Sequence, residues 1–342
     1  RMTAFCIDRP GYLAARAGVL TLDLCRLDRV LEVDRASRSV RVQGGTYGPA
    51  LEAQLKPHGY TLRHYPQSFE FSTVGGWIAT RAGGHYATNY THIDDFVQAL
   101  RMVTPQGVLA TRRLPGNGAG PQEERLVLGS EGVFGVITEA WLRVQDVPRC
   151  RAACTVNFET FAGGAAACRA LAQSGLFPSN ARLIERDEAL FMGAGDGTHH
   201  ILVLGFESPS LPQGDKLEAA LAICRAHEGK PKKPQVRNEG EGAAPDDSAD
   251  QWKQSFLRAP YLRDELARMG YISETFETCT TWANFPVLDA AVRTAAAEAF
   301  ARTTGQGLVT CRFTHLYPDG PAPYYTIIAP SRAGQQLVHW DA

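Results

Sequence analysis

PQSFEFSTVGGWIATRAGG, residues 66–84, is the stretch on which the reading of this chain turns. It mixes glycines, short hydroxyls and apolar residues in a pattern that suits neither an ordinary helix nor an amphipathic strand. Gly75-Gly76 and Gly83-Gly84 permit positive φ and let backbone approach a ligand closely. Ser68, Ser72, Thr73 and Thr80 add short hydroxyls, and the N–H groups between them are expected to be free to point at an anion. Such a segment can hold a phosphate without a lysine. The plainer alternative is a glycine-rich turn between two strands. A second stretch, LGSEGVFGVITEAWL at 128–142, shifts the balance. Gly129, Gly132 and Gly135 recur every third residue and run into the β-prone Val136-Ile137-Thr138.

Working outward, period-two alternation predicts strands over 19–27, 30–34 and 39–45. Residues 46–58 read as a short helix stopped by Gly59, and 60–62 as a strand that delivers the chain into the glycine stretch. His85, Tyr86, Tyr90 and His92 then either line a pocket or are packed aromatics of a surface loop. Residues 97–113 form a hairpin about Thr104–Gly107, and 114–124 a Gly/Pro loop. The texture changes at Val147-Pro148, the expected domain boundary. Beyond it come a strand at 150–158, an Ala-rich helix at 160–176 weakened by Gly163-Gly164, a mixed segment at 181–191, a strand at 199–208 and a helix at 214–227. That order predicts an antiparallel sheet with helices on one face, the α+β pattern. Residues 228–250 read as a polar loop or lid, 286–304 as a helix, and the two runs around Pro318-Asp319-Gly320 as a hairpin.

Composition narrows the classes. The chain has 342 residues, enough for two domains, and a formal net charge of −1, so nothing electrostatic points to nucleic acid. Lys230–Lys233 is the one basic tract and reads as a solvated loop. No apolar run reaches the ~18 residues that cross a bilayer, and the first residues, RMTAFCIDRPG, lack the apolar core of a secretory signal. The eight cysteines form no CxxC pair, so they read as reduced, mostly buried residues of a cytoplasmic protein, and no metal site is expected.

Together with DDFVQALRMVTPQGVLAT (94–111), the two glycine stretches resemble the flavin-binding domain of the vanillyl-alcohol-oxidase type, the PCMH-type FAD-binding superfamily. Within it, EFSTVGGWIATRAGG and GSEGVFGVITEA most resemble the alkyldihydroxyacetonephosphate synthases and their bacterial relatives, over about Val19 to Tyr325. The resemblance implies a partial FAD-binding domain over 1–147, expected to lack its N-terminal subdomain, and an antiparallel-sheet-plus-helices substrate or cap domain over 148–342, expected to lack its C-terminal end, with FAD as cofactor. It assigns flavin contacts to Gln67, Ser68, Phe69, Glu70, Phe71, Ser72 and Thr73, to Thr80, Arg81, Ala82 and Gly83, and to Glu131, Gly132, Val133, Phe134, Gly135, Val136, Ile137 and Thr138. In the second domain it implies that Arg182 is needed for activity, that Arg263 grips a substrate phosphate and that Tyr324 transfers a proton.

Without the resemblance these three have plainer readings. Arg182 is a surface partner for Glu185 or Asp187, Arg263 lies on a solvated helix face, and Tyr324 and Tyr325 are strand aromatics, one facing in and one out. Arg312, His315, Glu274 and Glu277 are left unoriented. The chain also departs from the family. Residues 1–18 carry no glycine-rich pyrophosphate loop, and no histidine run follows the last hairpin. Three functions follow: an FAD-dependent exchange of the acyl group of acyl-dihydroxyacetone phosphate for a long-chain alcohol, an FAD-dependent 2-hydroxy acid dehydrogenase or oxidase, or a non-catalytic truncated remnant. The partner is then a small-molecule or lipid-like substrate, with peripheral membrane contact and a homodimer both left open.

Overall fold

The computed structural model describes residues 21–86, 88, 90–238 and 261–341. The turn expected at Arg9-Pro10-Gly11, the reading of residues 1–18 and residues 239–250 of the expected lid lie outside the described residues. The chain divides into two compact units, one of residues 1–84 and 90–147, the other of 85–89 and 148–342.

The first unit is organised on short strands with alternating apolar residues. In chain order it has β1 (Val30–Asp34), β2 (Ser39–Gln43), α1 (Gly48–Leu55), β3 (Tyr60–Thr61), α2 (Val74–Thr80), β4 (Val97–Thr104), β5 (Gly107–Ala110), α3 (Glu123–Val127), β6 (Val136–Arg143) and β7 (Gln145–Asp146). Five strands form an antiparallel sheet in the order β1-β2-β6-β4-β5, while β3 pairs with β7 apart from it. Val40, Val42, Leu100, Met102, Ile137 and Leu142 are buried along it, with Trp77 and Ile78 of α2.

Two expectations are corrected here. Residues 21–27 form no strand: they turn, with the Leu27 N–H donating to Leu24 O at 2.8 Å. The Leu24 carbonyl sits where a Cβ on Gly45 would come within 1.9 Å, so this segment crosses the Gly44-Gly45 backbone and leaves β1 as the sheet edge. The glycine stretch does contain a helix. Thr73 caps α2 by accepting from the Gly76 N–H at 3.3 Å, and Arg81 closes it in a left-handed conformation. Gly75 is tolerated because it serves packing: a Cβ there would lie 2.9 Å from the Gly44 carbonyl oxygen.

The second unit is one large antiparallel sheet with helices against it. It comprises β8 (Cys150–Phe158), α4 (Phe161–Gln173), β9 (Asn180–Ile184), α5 (Arg186–Phe191), β10 (His200–Ser208), α6 (Gly214–Ala226), β11 (Lys230–Pro231), β12 (Gln235–Arg237), β13 (Tyr271–Glu277), α7 (Phe285–Arg302), β14 (Leu308–Leu316), β15 (Pro321–Pro330) and α8 (Gln336–Asp341). The sheet runs β11-β8-β10-β9-β14-β15-β13, with β12 also on β8. The core on one face joins alternate strand residues such as Val156, Leu183, Leu204 and Phe313 to Leu171 of α4, Leu221 of α6 and Phe285 of α7. Gly163-Gly164 does not break α4. Thr160 caps it, and a Cβ on Gly164 would lie 2.5 Å from Leu183, so the glycine sets how closely helix meets strand. The mixed segment 181–191 resolves into β9 and α5, and α5 packs on the opposite face through Ile184, Ala189, Ile201 and Val203. The sheet therefore carries helices on both faces, unevenly. Lys230 enters a short strand and pairs with Glu159 at 2.7 Å.

Candidate functional site

In the first unit the two glycine stretches meet. The Gly129 N–H donates to Ile78 O at 3.1 Å and the Glu131 N–H to Ala79 O at 2.8 Å, which hangs the second stretch on the end of α2. Between them runs a narrow groove of about 20 Å³, lined by Thr73, Gly75, Gly76, Ala79, Gly132, Gly135 and Ile137, and also by Tyr47 and Asp23–Cys25. Four of its lining residues are glycines, and Gly135 is at φ +152 with Val103 O only 2.1 Å from any added Cβ. No lysine or arginine lines it, and apart from Asp23 and Tyr47 the lining offers backbone and small or apolar groups.

The proposed source of anion contacts needs correcting. The N–H groups of this region are largely engaged: Val74 with Thr46 O, Gly75 with Gly44 O, Trp77 with Thr73 O and Phe71 with Ser68 O. The hydroxyls are engaged too. Ser72 Oγ donates to Ser68 O at 2.7 Å and accepts from Trp77 Nε1, Thr80 Oγ1 donates to Gly76 O, and Thr138 Oγ1 donates to Arg101 O. They shape the loop, so a ligand meets the surface they fix.

Of the residues anticipated from sequence, Thr73, Gly132, Gly135 and Ile137 line the groove, whereas Gln67, Ser68, Phe69, Glu70, Phe71, Ser72, Thr80, Arg81, Ala82, Gly83, Glu131, Val133, Phe134, Val136 and Thr138 do not. Phe69 packs under Gly48, Arg81 pairs with Asp94, and Gly83 bridges to His92. Phe71, Val133 and Phe134 leave apolar surface exposed, Val133 at 80 %. The lining residues not assigned as flavin contacts were Asp23–Cys25, Tyr47, Gly75, Gly76 and Ala79. The signal available was Gly44-Gly45, a pair that implies a crossing backbone.

The chemistry-bearing groups of the second unit lie on the sheet face away from α4 and α6. β9 turns Ala181 and Leu183 toward those helices, which places Arg182 on the other side. Arg182 is fully buried, and its Nη2 donates to the carbonyl of His85 at 2.5 Å. The sequence-based alternative of a surface ion pair is overturned by that burial. On β14 and β15 the register sets Arg312 opposite Tyr324, and β13 sets Glu277 opposite Tyr324. The Arg312 guanidinium lies 3.8 Å from the centroid of the Tyr324 ring and forms a buried ion pair with Glu188 of α5. Glu188 also accepts from Thr310 Oγ1 at 3.1 Å, and Thr314 Oγ1 donates to Glu277. His315 Nδ1 lies 3.1 Å from Tyr86 O, and Asn180 Nδ2 lies 3.3 Å from His85 Nε2. Burial, and then the like charge of Arg312, pull the Arg182 guanidinium down to about 9.

Tyr325 faces the helical core and donates to Asp289 Oδ1 at 3.1 Å, while burial pushes its phenol well up, so Tyr324 is the tyrosine beside the charged groups. Arg263 lies elsewhere. It is exposed in the helical residues 261–268 and pairs with Glu274 at 3.0 Å. Glu274 is three residues from Glu277 on β13, so strand alternation turns it to the opposite face from Tyr324. Among the described residues, no group of three His, Cys, Asp or Glu side chains could hold a metal, and no helix is long and apolar enough to cross a membrane.

Residues 10–112 match the FAD binding domain family, and residues 147–340 match the FAD linked oxidases, C-terminal domain. The chain is 28 % identical to alkyldihydroxyacetonephosphate synthase of Dictyostelium discoideum over 94 % of its own length and 55 % of that protein's. It is 30 % identical to a mitochondrial D-lactate dehydrogenase [cytochrome] of Arabidopsis thaliana, over 58 % of this chain and 35 % of that one. A solved alkyldihydroxyacetonephosphate synthase superposes with a TM-score of 0.78 at 28 % identity, covering 93 % of this chain and 60 % of that chain. The chain thus spans about half the length of the curated relatives it matches. The C-terminal match alone takes in more than half of the 342 residues, and with the α+β architecture described above the chain belongs to the FAD linked oxidases, flavoproteins with FAD as cofactor.

Proposed function

We propose that this flavoprotein is a synthase-like transferase that replaces the acyl group of acyl-dihydroxyacetone phosphate with a long-chain alcohol. The observation that carries the reading is the row of buried Arg182 and Arg312 with half-buried Tyr324 on one face of the second unit. A phosphorylated substrate needs a cation held in a water-poor place, and a guanidinium offers a planar fork of donors for it. Arg182 is assigned to that anion. Tyr324, with Arg312 stacked on its ring, is assigned to move a proton at the substrate. Arg263 is the exposed second cation of the proposal and would have to exchange Glu274 for substrate phosphate. Thr73, Gly132, Gly135 and Ile137, with the rest of residues 67–73, 80–83 and 131–138, would hold the FAD. When bound, FAD supplies the redox and electrophilic ring chemistry, and the protein supplies binding and orientation.

The likeness to a D-lactate dehydrogenase favours a second reading, in which the same buried guanidinium holds the carboxylate of a 2-hydroxy acid. One experiment separates them. The purified chain is incubated with FAD, gel-filtered and examined by absorption. It is then assayed for alcohol-for-acyl exchange and for dye reduction by 2-hydroxy acids. Exchange without dye reduction supports the synthase reading, dye reduction alone supports the dehydrogenase, and bound flavin with neither refutes both.

A further inference from the structure

We propose that Asp94 is a positioning residue that ties the two glycine stretches of the first unit into a single cofactor cradle, an inference that rests on the reading of that groove as the FAD site. Asp94 is buried in the 3-10 turn Ile93–Asp95. Its Oδ2 accepts from Arg81 Nη2 at 2.9 Å and from Arg125 Nη1 at 3.4 Å. Its Oδ1 is buried with no hydrogen-bond partner among the described residues. Arg81 lies in the first stretch, and Arg125 lies on the helix just before the second. Arg81 ends α2 in a left-handed conformation, and Arg125 sits on α3, which leads into Gly129.

The geometry makes Asp94 the point where these parts converge. The Arg81 side chain lies across Gly129, where a Cβ would come within 2.8 Å of Arg81 Cδ. That close approach holds only while Arg81 is drawn toward Asp94. The Asp94 turn is itself fixed to the first stretch, because the Ile93 N–H donates to Ala82 O at 3.0 Å and the Gly84 N–H to Thr91 O at 2.7 Å. Asp95 braces the turn by accepting from the Thr91 N–H at 2.9 Å. With the carboxylate gone, two guanidiniums converge on one spot without a counter-charge. The Gly129 and Glu131 amides then hold the second stretch to the end of α2 without the charged tie through Arg81 and Arg125. Sequence reading passed over Asp94 because its partners lie 13 and 31 residues away.

The test uses the full chain as Asp94→Asn, Asp94→Glu and Arg125→Met. Two quantities are read: the dissociation constant for FAD from quenching of flavin fluorescence, and hydrogen exchange of the Gly129 and Glu131 amides in FAD-free protein. Amides of Met102 and Ala140 in the sheet report global opening. Asp94→Asn is expected to speed exchange at both loop amides at least tenfold with the sheet amides unchanged, and to weaken FAD at least tenfold. Asp94→Glu should recover most of both effects. If Asp94→Asn opens the sheet as well, Arg125→Met, which keeps the carboxylate and Arg81, must show the local pattern alone. Unchanged loop exchange in the variants overturns the proposal, and faster exchange with unchanged FAD affinity overturns the cofactor role of Asp94. Faster loop exchange in a chain whose parent takes up no FAD leaves the tie standing and overturns the cofactor reading of the groove.

Discussion

Replacing Glu188 with Gln removes one charge from a buried ion pair of the second unit and keeps the side-chain shape. Glu188 and Arg312 expose 2 % and 3 % of their surfaces. Arg312 cannot relax to solvent: the Tyr324 ring lies under its guanidinium, and Arg182, also fully buried, lies near enough to be shifted by its charge. Losing the carboxylate therefore leaves two buried guanidiniums and, as the nearby acid, Glu277. Breaking a buried pair from one side costs about 3–5 kcal/mol. Thr310 Oγ1 can still donate to the Gln oxygen, so no hydroxyl is orphaned and nothing is added for it. Against a typical stability of roughly 5–15 kcal/mol the loss is large, and it corresponds to a melting point lower by about 6–20 °C for a body of this size. Urea unfolding followed by tryptophan fluorescence measures it. The double variant Glu188→Leu/Arg312→Met should recover most of the loss, because an apolar pair of similar volume restores packing without a stranded charge. A Glu188→Gln protein within about 1 kcal/mol of the parent would refute the argument, since the pair would then be solvated rather than buried.

Four further outcomes follow from the same geometry. His64 is buried between Trp77 and Phe96 with neither ring nitrogen bonded among the described residues, and burial lowers it to about 3. The unfolded chain then takes up the proton between about pH 6.5 and 3 and the folded chain does not, so stability is full above 6.5 and falls on acidification by at most about 1.4 kcal/mol per pH unit from this group. His64→Leu should be at least as stable at pH 7 and show a shallower acid limb in pH-dependent melts. Gly135→Ala should lose at least about 2 kcal/mol in urea titration, because the added Cβ meets the Val103 carbonyl at 2.1 Å. Tyr324→Phe should retain FAD and a parental melting point while kcat of the confirmed reaction falls about 10²-fold or more, and a fall confined to KM would exclude a proton-transfer role. Arg263→Ala breaks only an exposed pair and should change stability by less than about 1 kcal/mol, so a raised KM in that variant would measure anion binding alone.

Local pattern carried much of the architecture and little of the chemistry. The alternation in SVRVQ is visible because Val40 and Val42 pack in a core while Arg41 and Gln43 stay partly exposed, and that asymmetry is written in neighbouring residues. The helix α2 was hidden because its Gly75 answers to the Gly44 backbone, a tertiary demand that overrides helix propensity. Arg182 was illegible for a related reason. NARLI is buried at all five positions, so period two cannot say which side is core and which is site. What covers Arg182 is the carbonyl of His85, 97 residues earlier, and what anchors its neighbour Arg312 is Glu188, 124 residues earlier.

The same reasoning explains why Arg263 was drawn to Tyr324 in sequence and not in the fold. A motif match transfers a residue type to a position, but it does not transfer the face of the strand to which that residue's partner belongs. Here Glu274 holds Arg263, and Glu274 differs in parity from Glu277, which faces Tyr324. For Arg263 and Tyr324 to act on one substrate, the pair with Glu274 must open. That exposed contact is worth less than about 1 kcal/mol, so a bound phosphate could displace it. Arg182 requires no such exchange. Its position is set by the central strand pairing of β9 with β10, which no substrate would disturb. On the proposed function the two arginines would make separable contributions: Arg182 a fixed buried charge present before binding, and Arg263 a cation recruited by it. Only the second should show a KM that rises steeply with salt, because only an exposed cation is screened.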